Sequence, residues 1–188
     1  MERHSGGVNT PLPVYLVDPP SGVTLSIGAP ALGITALEYG DGRIHQTKLT
    51  IASVLPAIAG GAALGVGKLI YTFPAGVQII ESAHMSVAIK QTQAHINADT
   101  PEVGLGSVIA SGVVAVLSGT ATFEDILTGQ VAADCDGTPT VATVAQTFIT
   151  NAAGSKAVYL NVADAWAALG DAAALLTGTV TLNWRTMA

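Results

Sequence analysis

Apolar and polar residues alternate with a period of two along much of this chain. In the stretch Ala83 to Lys90, the residues Ala83, Met85, Val87 and Ile89 share one register and His84, Ser86, Ala88 and Lys90 the other. That is the repeat of a strand with one buried face. Just upstream, Leu69 to Phe73 is aromatic and β-branched and stops at Pro74-Ala75-Gly76, where proline presets a turn and glycine relaxes the exit from it. The pattern predicts two strands joined by a bend. A helix with the stripe Ile70, Phe73, Val77 and Ile80 would have to enclose Pro74 and Gly76, at a cost of about 3 and 1 kcal/mol.

The same alternation recurs from Gln46 to Leu55, with Leu49 and Ile51 against Lys48 and Thr50. It returns at 156–162, where Val158, Leu160 and Val162 alternate with Tyr159 and Asn161, and at 178–185, where Val180, Leu182 and Trp184 face away from Thr179, Thr181, Asn183 and Arg185. Thr140 to Thr150 is rich in Thr and Val and suits another strand. Between these lie Pro56 to Gly67, read as a loop over the end of a sheet, and Gln91 to Pro101, a polar connector. Gly104-Leu105-Gly106 reads as a turn into the apolar run Val113 to Leu117, with a second turn at Ser118-Gly119-Thr120. Asp134 to Pro139 is a loop by composition. Thr122 to Thr128 fits a strand or a short helical turn. Asp164 to Leu176 holds good helix formers broken by Gly170, which predicts one short helix or two turns.

Residues 1–44 differ from the rest. Pro11, Pro13, Pro19, Pro20 and Pro30 are spaced by glycines, which predicts an extended arm ended by a turn at Gly40-Asp41-Gly42. Its apolar residues Val14, Tyr15, Leu16, Val23, Leu25 and Ile27 are too many for a solvated tail. They are the candidate interface residues of the chain, lying on its own domain or on a neighbour. About six to nine short strands with little helix then predict an all-β fold. The expected architecture is an antiparallel β-sandwich, jelly-roll-like, over residues 45–188, with the arm over 1–44.

Composition sharpens the picture. Charged residues are 11% of the 188, against a usual quarter, so 20 charges (7 basic and 13 acidic) stand where about 47 would be ordinary. On a monomer exposing about 8,000 Å² this is about one charge per 400 Å², a surface of Ala, Gly, Thr and Ser of the kind that neighbours cover. A net charge of -6 with no run of Lys or Arg speaks against a nucleic-acid partner. The uncharged stretch from Leu49 to Val66 has the length of a membrane span, but glycines and a proline interrupt it and no aromatic belt or basic flank marks an interface. Met1 to Gly7 has no apolar core behind a basic head, so synthesis and assembly in a cytoplasm are expected.

Candidate chemistry is sparse. Gly65-Val66-Gly67-Lys68 has the look of a phosphate loop, but Ala62 and Leu69 stand where that motif needs a glycine and a hydroxyl. Asp134-x-Asp136-Gly137 starts like a calcium loop, yet Ala145 occupies the place of the closing acid, leaving an Asx-type turn. His4, His45, His84 and His95 show no ligand spacing, and His84 reads as an exposed imidazole. Cys135 alone makes no disulfide and reads as a small buried hydrophobe. Glu124-Asp125 are sequence neighbours that a strand would point apart, and no serine sits in a nucleophile elbow. No catalytic residue, cofactor or metal is expected.

The segments Lys68 to Gly76, Asp99 to Ser107, Leu117 to Ala121 and Gly178 to Leu182 resemble those of the small capsid decoration, or cement, proteins of tailed bacteriophages. The resemblance covers about residues 68–188 and leaves the first third unmatched. It implies a β-sandwich, often trimeric, that binds the outside of a mature icosahedral head and stabilises it. The expectation is a non-enzymatic virion protein on the capsid surface, with the major capsid protein and further copies of itself, as a homotrimer, for partners. The alternative is a receptor-binding or carbohydrate-binding jelly-roll module of a phage tail, which would need exposed aromatic residues along a groove.

Overall fold

The computed structural model describes residues 28–40, 44–93, 95–144, 147–149, 157–166 and 170–187. The arm residues Val14, Tyr15, Leu16, Val23, Leu25 and Ile27 lie outside these. The described chain runs through β1 (Ala29–Pro30), β2 (Ile34–Gly40), β3 (Ile44–Val54), β4 (Gly65–Thr72), β5 (Val77–Lys90), β6 (Glu102–Gly106), β7 (Leu127–Val131), β8 (Asp136–Val144), β9 (Thr147–Ile149), β10 (Ala157–Ala163) and β11 (Leu175–Met187). Two short 3₁₀ turns, Leu117–Gly119 and Ala121–Phe123, separate β6 from β7.

The strands form two sheets packed face to face. The first has the order β1-β4-β10-β6-β7, and the second the order β2-β3-β11-β5-β8, with β9 also on β5. Every pairing is antiparallel. Taken from the outer ends of the chain inward, β3 pairs with β11, β4 with β10, β5 with β8 and β6 with β7. The chain thus runs as a ribbon doubled on itself and wound around the core.

The period-two residues meet between the sheets. Leu49 and Ile51, Ala83, Met85 and Val87, and Val180, Leu182 and Trp184 come from the second sheet; Ile70, Tyr71, Val103, Leu105, Val158, Leu160 and Val162 come from the first. The all-β antiparallel sandwich read from the alternation is the fold. Pro74-Ala75-Gly76 is the bend between β4 and β5, and it carries the chain from one sheet to the other, since those two strands belong to different sheets.

Several segments differ from the sequence reading. The sandwich begins before residue 45: β1 pairs with β4 and β2 with β3, and Ile34 is buried in the core. Pro30 is tolerated because β1 is an edge strand, where no ladder donor is needed. Gly104-Leu105-Gly106 is no turn but part of β6, in which Leu105 faces the core. The run Val113 to Leu117 is irregular up to its 3₁₀ turn. Asp134 to Pro139 is only half a loop, for β8 starts at Asp136 and carries Pro139 on the sheet's edge. Thr122 to Thr128 holds both readings, a 3₁₀ turn and then the start of β7. Over Asp164 to Leu176 the described residues form no helix; Asp171 bridges to Ile58 and β11 begins at Leu175. The membrane-length stretch from Leu49 to Val66 is the end of β3, a connection and the start of β4. No described helix is long and apolar enough to cross a membrane.

Candidate interaction surfaces

The outer face of the first sheet is covered by the chain itself. After β6 the segment 107–126 crosses that face, and Asn161 is its anchor. Leu160 and Val162 of β10 point into the core, so the residue between them points outward. The buried Asn161 side chain accepts from the Ala110 N–H (2.9 Å) and donates to the carbonyls of Val108 and Phe123 (both 2.8 Å). Ala110, Leu117, Phe123 and Ala163 close around it as a second small apolar cluster. The cover lies so close that glycine is required beneath it. A Cβ on Gly106 would stand 2.4 Å from the Phe123 backbone, and one on Gly67 2.3 Å from Asn161 Oδ1. This is why the phosphate-loop look-alike contains Gly67: it lies in β4 under the covering segment.

Three carboxylates pin the same segment. Asp125 accepts from the Ser107 N–H (2.7 Å) and hydroxyl (2.6 Å), Glu102 from the Leu117 N–H (2.6 Å) and Glu124 from the Gly129 N–H (2.6 Å). What the cover shows outward is apolar and acidic. Val108, Ile109, Val113 and Val116 are exposed, Val113 by 68%, and no basic residue occurs between His95 and Lys156.

Among the described residues, no such cover lies on the outer face of the second sheet. The strand register sets its side chains in rows across the sheet. One row is Thr35, Thr50, Thr179, Ser86 and Val141; the next is Leu37, Lys48, Thr181, His84 and Thr143. A third row is tied by side chains, Gln46 donating to Asn183 (2.8 Å) and Asn183 to Ser82 (2.7 Å). His84 is exposed, as read from the sequence, and is hydrogen-bonded to Thr143 (2.8 Å). Lys48, Lys90 and Arg185 are exposed here, Arg185 paired with Glu81 at 3.2 Å.

Two polar knots lie inside. At one end of the sandwich Glu38 of β2 accepts from His45 Nδ1 (3.0 Å), the Thr47 hydroxyl (2.6 Å) and the Tyr71 hydroxyl (3.4 Å), while Trp184 Nε1 donates to Thr47 Oγ1 (2.8 Å). His45 is 1% exposed and stacks on Trp184 with ring centres 3.9 Å apart. Burial, opposed by the Thr47 hydrogen bond and assisted by the Glu38 charge, pushes the Tyr71 phenol up to about 12. The knot joins both sheets, and its Tyr71 hydroxyl receives the Gly28 N–H (3.0 Å), where the described chain begins. At the other end Asp171 accepts from the N–H groups of Thr92 (2.7 Å), Gln93 (2.8 Å) and Ala173 (2.9 Å) and from the Thr92 hydroxyl (2.8 Å). Burial works to raise its carboxyl, but these hydrogen bonds outweigh it and hold the group below the usual range.

The remaining candidates are accounted for locally. Asp134 and Asp136 make Asx-type bonds, to the N–H of Asp136 (3.2 Å) and of Thr138 (2.8 Å). Cys135 is buried, and burial first, then the charges of nearby carboxylates led by Asp99, pushes its thiol up to about 12, far from thiolate chemistry at neutral pH. His95 donates to the Gly170 carbonyl (3.1 Å), and His4 lies outside the described residues. Among the described residues no three His, Cys, Asp or Glu side chains gather as a metal set. Asn161, Asp171 and the Glu38 knot escaped the sequence reading. Only His45 and Thr47 left a trace, as polar residues in the inward register of β3. No family model, curated protein or solved structure matches this chain.

Proposed function

We propose that this chain is a non-catalytic virion protein, a decoration protein that binds the outside of a phage head across the junctions of the major capsid protein. The observation that carries the reading is the hydroxyl-rich face of the second sheet, uncovered by any described residue, on a chain with few charges, a surface suited to being covered by protein. The apolar arm residues Val14, Tyr15, Leu16, Val23, Leu25 and Ile27 would add a second contact, reaching over a neighbouring subunit. The mechanism is clamping. Each copy buries area across a junction, the shell cannot open without losing it, and many weak contacts on one particle act together.

The doubled ribbon, with β3 on β11, β4 on β10, β5 on β8 and β6 on β7, supports reading the sandwich as a jelly roll, an architecture common in viral shells. A carbohydrate-binding module would present aromatic rings, whereas among the described residues Trp166, Trp184, Tyr71, Phe73 and Phe123 are buried and only Tyr39 and Tyr159 are part exposed, on different sheets. The test is co-sedimentation of the purified chain with intact heads, with copy number counted per major capsid subunit. Saturable binding at a fixed ratio, lost on deleting residues 1–27, is the expected result. Indifference to heads together with binding to a glycan array would replace this reading with the receptor-binding one.

A further inference from the structure

The two outer faces of the sandwich are unlike in charge and complementary in kind. On the bare sheet face stand Lys48, His84, Lys90 and Arg185, with Glu81 beside Arg185 and Asp136 beside Lys90. On the covered face stand Glu102, Glu124 and Asp125, and from His95 to Lys156 the sequence supplies no cation to balance them. The cover also projects Val108, Ile109, Val113 and Val116, at a tip where a Cβ on Gly112 would meet nothing within 4 Å. One row of the bare face, Thr35, Thr50, Thr179, Ser86 and Val141, bears only small side chains, against which such a tip can lie without displacing bulky groups.

From these observations we infer that the bare face of the second sheet binds the loop-covered face of a second copy of this chain, head to tail. The inference rests on the decoration reading above, for which the sequence resemblance led to the expectation of further copies of the chain as partners, and it specifies the two surfaces that meet. Size allows it. Five strands about 4.8 Å apart and five rows about 6.8 Å apart give a face of about 820 Å², close to the roughly 800 Å² per partner of a standard stable interface. Charge favours the arrangement. Loop face on loop face would set acid against acid, which is penalised, whereas on the sheet face Lys90 and Arg185 have Asp136 and Glu81 beside them and Lys48 is left to meet an acid. Head to tail turns the face that carries Lys48 and His84 toward the face that carries Glu124 and Asp125. Such a contact uses two different patches, so it repeats from copy to copy and gives a ring where the rotation closes.

The test is sedimentation velocity on the full chain at micromolar concentration. Wild type is expected to sediment as an oligomer that loosens as salt rises. Lys48→Glu, which spoils only the sheet face, and Val113→Lys, which spoils only the loop face, should each sediment as a monomer with an unchanged melting temperature. Mixed in equal amounts they should form a heterodimer, because one still offers an intact loop face and the other an intact sheet face. Thr50→Glu repeats the first arm at a site with no charge of its own. A monomeric wild type overturns the inference. So does an oligomer that survives Val113→Lys, which means sheet against sheet, or one that survives Lys48→Glu and Thr50→Glu, which means loop against loop. A monomer that still decorates heads would defeat this inference alone, and a head-to-tail oligomer that ignores heads would defeat only the decoration reading.

Discussion

The two sheets are built alike inside and differently outside. Both send alternate apolar side chains into one core, and both have an outer face of alternate positions. On the first sheet those positions are glycine, asparagine and alanine, represented by Gly67, Gly106, Asn161 and Ala163, and a loop lies down on them. On the second they are threonine, serine and lysine, and nothing from the described chain lies there. The difference is a matter of side-chain volume and of satisfied polar groups. A backbone can rest on a sheet only where Cβ atoms are missing and where a side chain such as Asn161 answers its N–H and carbonyl groups.

That contrast can be broken at its anchor. Asn161→Ala leaves the N–H of Ala110 and the carbonyls of Val108 and Phe123 without their partner and should cost about 3–4 kcal/mol. Urea unfolding would measure the loss, and hydrogen exchange should show residues 107–126 losing protection while β3 and β11 keep theirs. Uniform loss of protection would mean that the cover and the sandwich unfold as one unit.

A smaller break comes at Gly106. Gly106→Ala pushes a methyl against the Phe123 backbone and should cost about 1–3 kcal/mol, again concentrated in the cover. Asp171 lies at the end of the sandwich, apart from both outer faces, so its loss should disturb neither preferentially. Asp171→Ala orphans three N–H groups, at a cost of about 2 kcal/mol. Its folded carboxyl is held below the ordinary value of 3.8. The stabilisation is therefore fully present above that value and fades as pH falls through the lower folded one. Acid unfolding of wild type and Asp171→Asn should thus converge at low pH, while the variant is the weaker at neutral pH. A constant gap across the acid range would refute the role assigned to that carboxyl.

The smallest effect is expected on the bare face. Thr50→Ala with Thr179→Ala removes two hydroxyls from one row and should change stability by less than about 0.5 kcal/mol per site. A loss as large as that of Asn161→Ala would mean that this face is packed within the single chain.

Much of this fold was legible because alternation is a local signal. Leu49 and Ile51 in β3, Met85 and Val87 in β5, and Val180, Leu182 and Trp184 in β11 were placed inward by their spacing, and all are buried. Glycine misled in both directions. Gly104 and Gly106 looked like a turn and are strand residues left bare for the cover. Alanine misled as well, since Ala172 to Ala174 favour a helix on their own, yet Asp171 ties the segment to Ile58 and Thr92. The arm boundary at residue 44, too far along the chain, had a related cause: Pro30 and the nearby glycines hid the strands β1 and β2.

The sequence by itself settled the strand character of the chain, the inward side of each long strand and the poverty of charge, because each depends on residues a few positions apart. Only the tertiary structure decided that β3 lies beside β11, that Asn161 holds down a loop, that Glu38 meets His45 and Tyr71, and which outer face is left bare. A period of two states which side of a strand is apolar and is silent about the strand next to it. Those neighbours are set by burial and hydrogen bonding summed over the whole sandwich, in contacts between residues far apart in the chain.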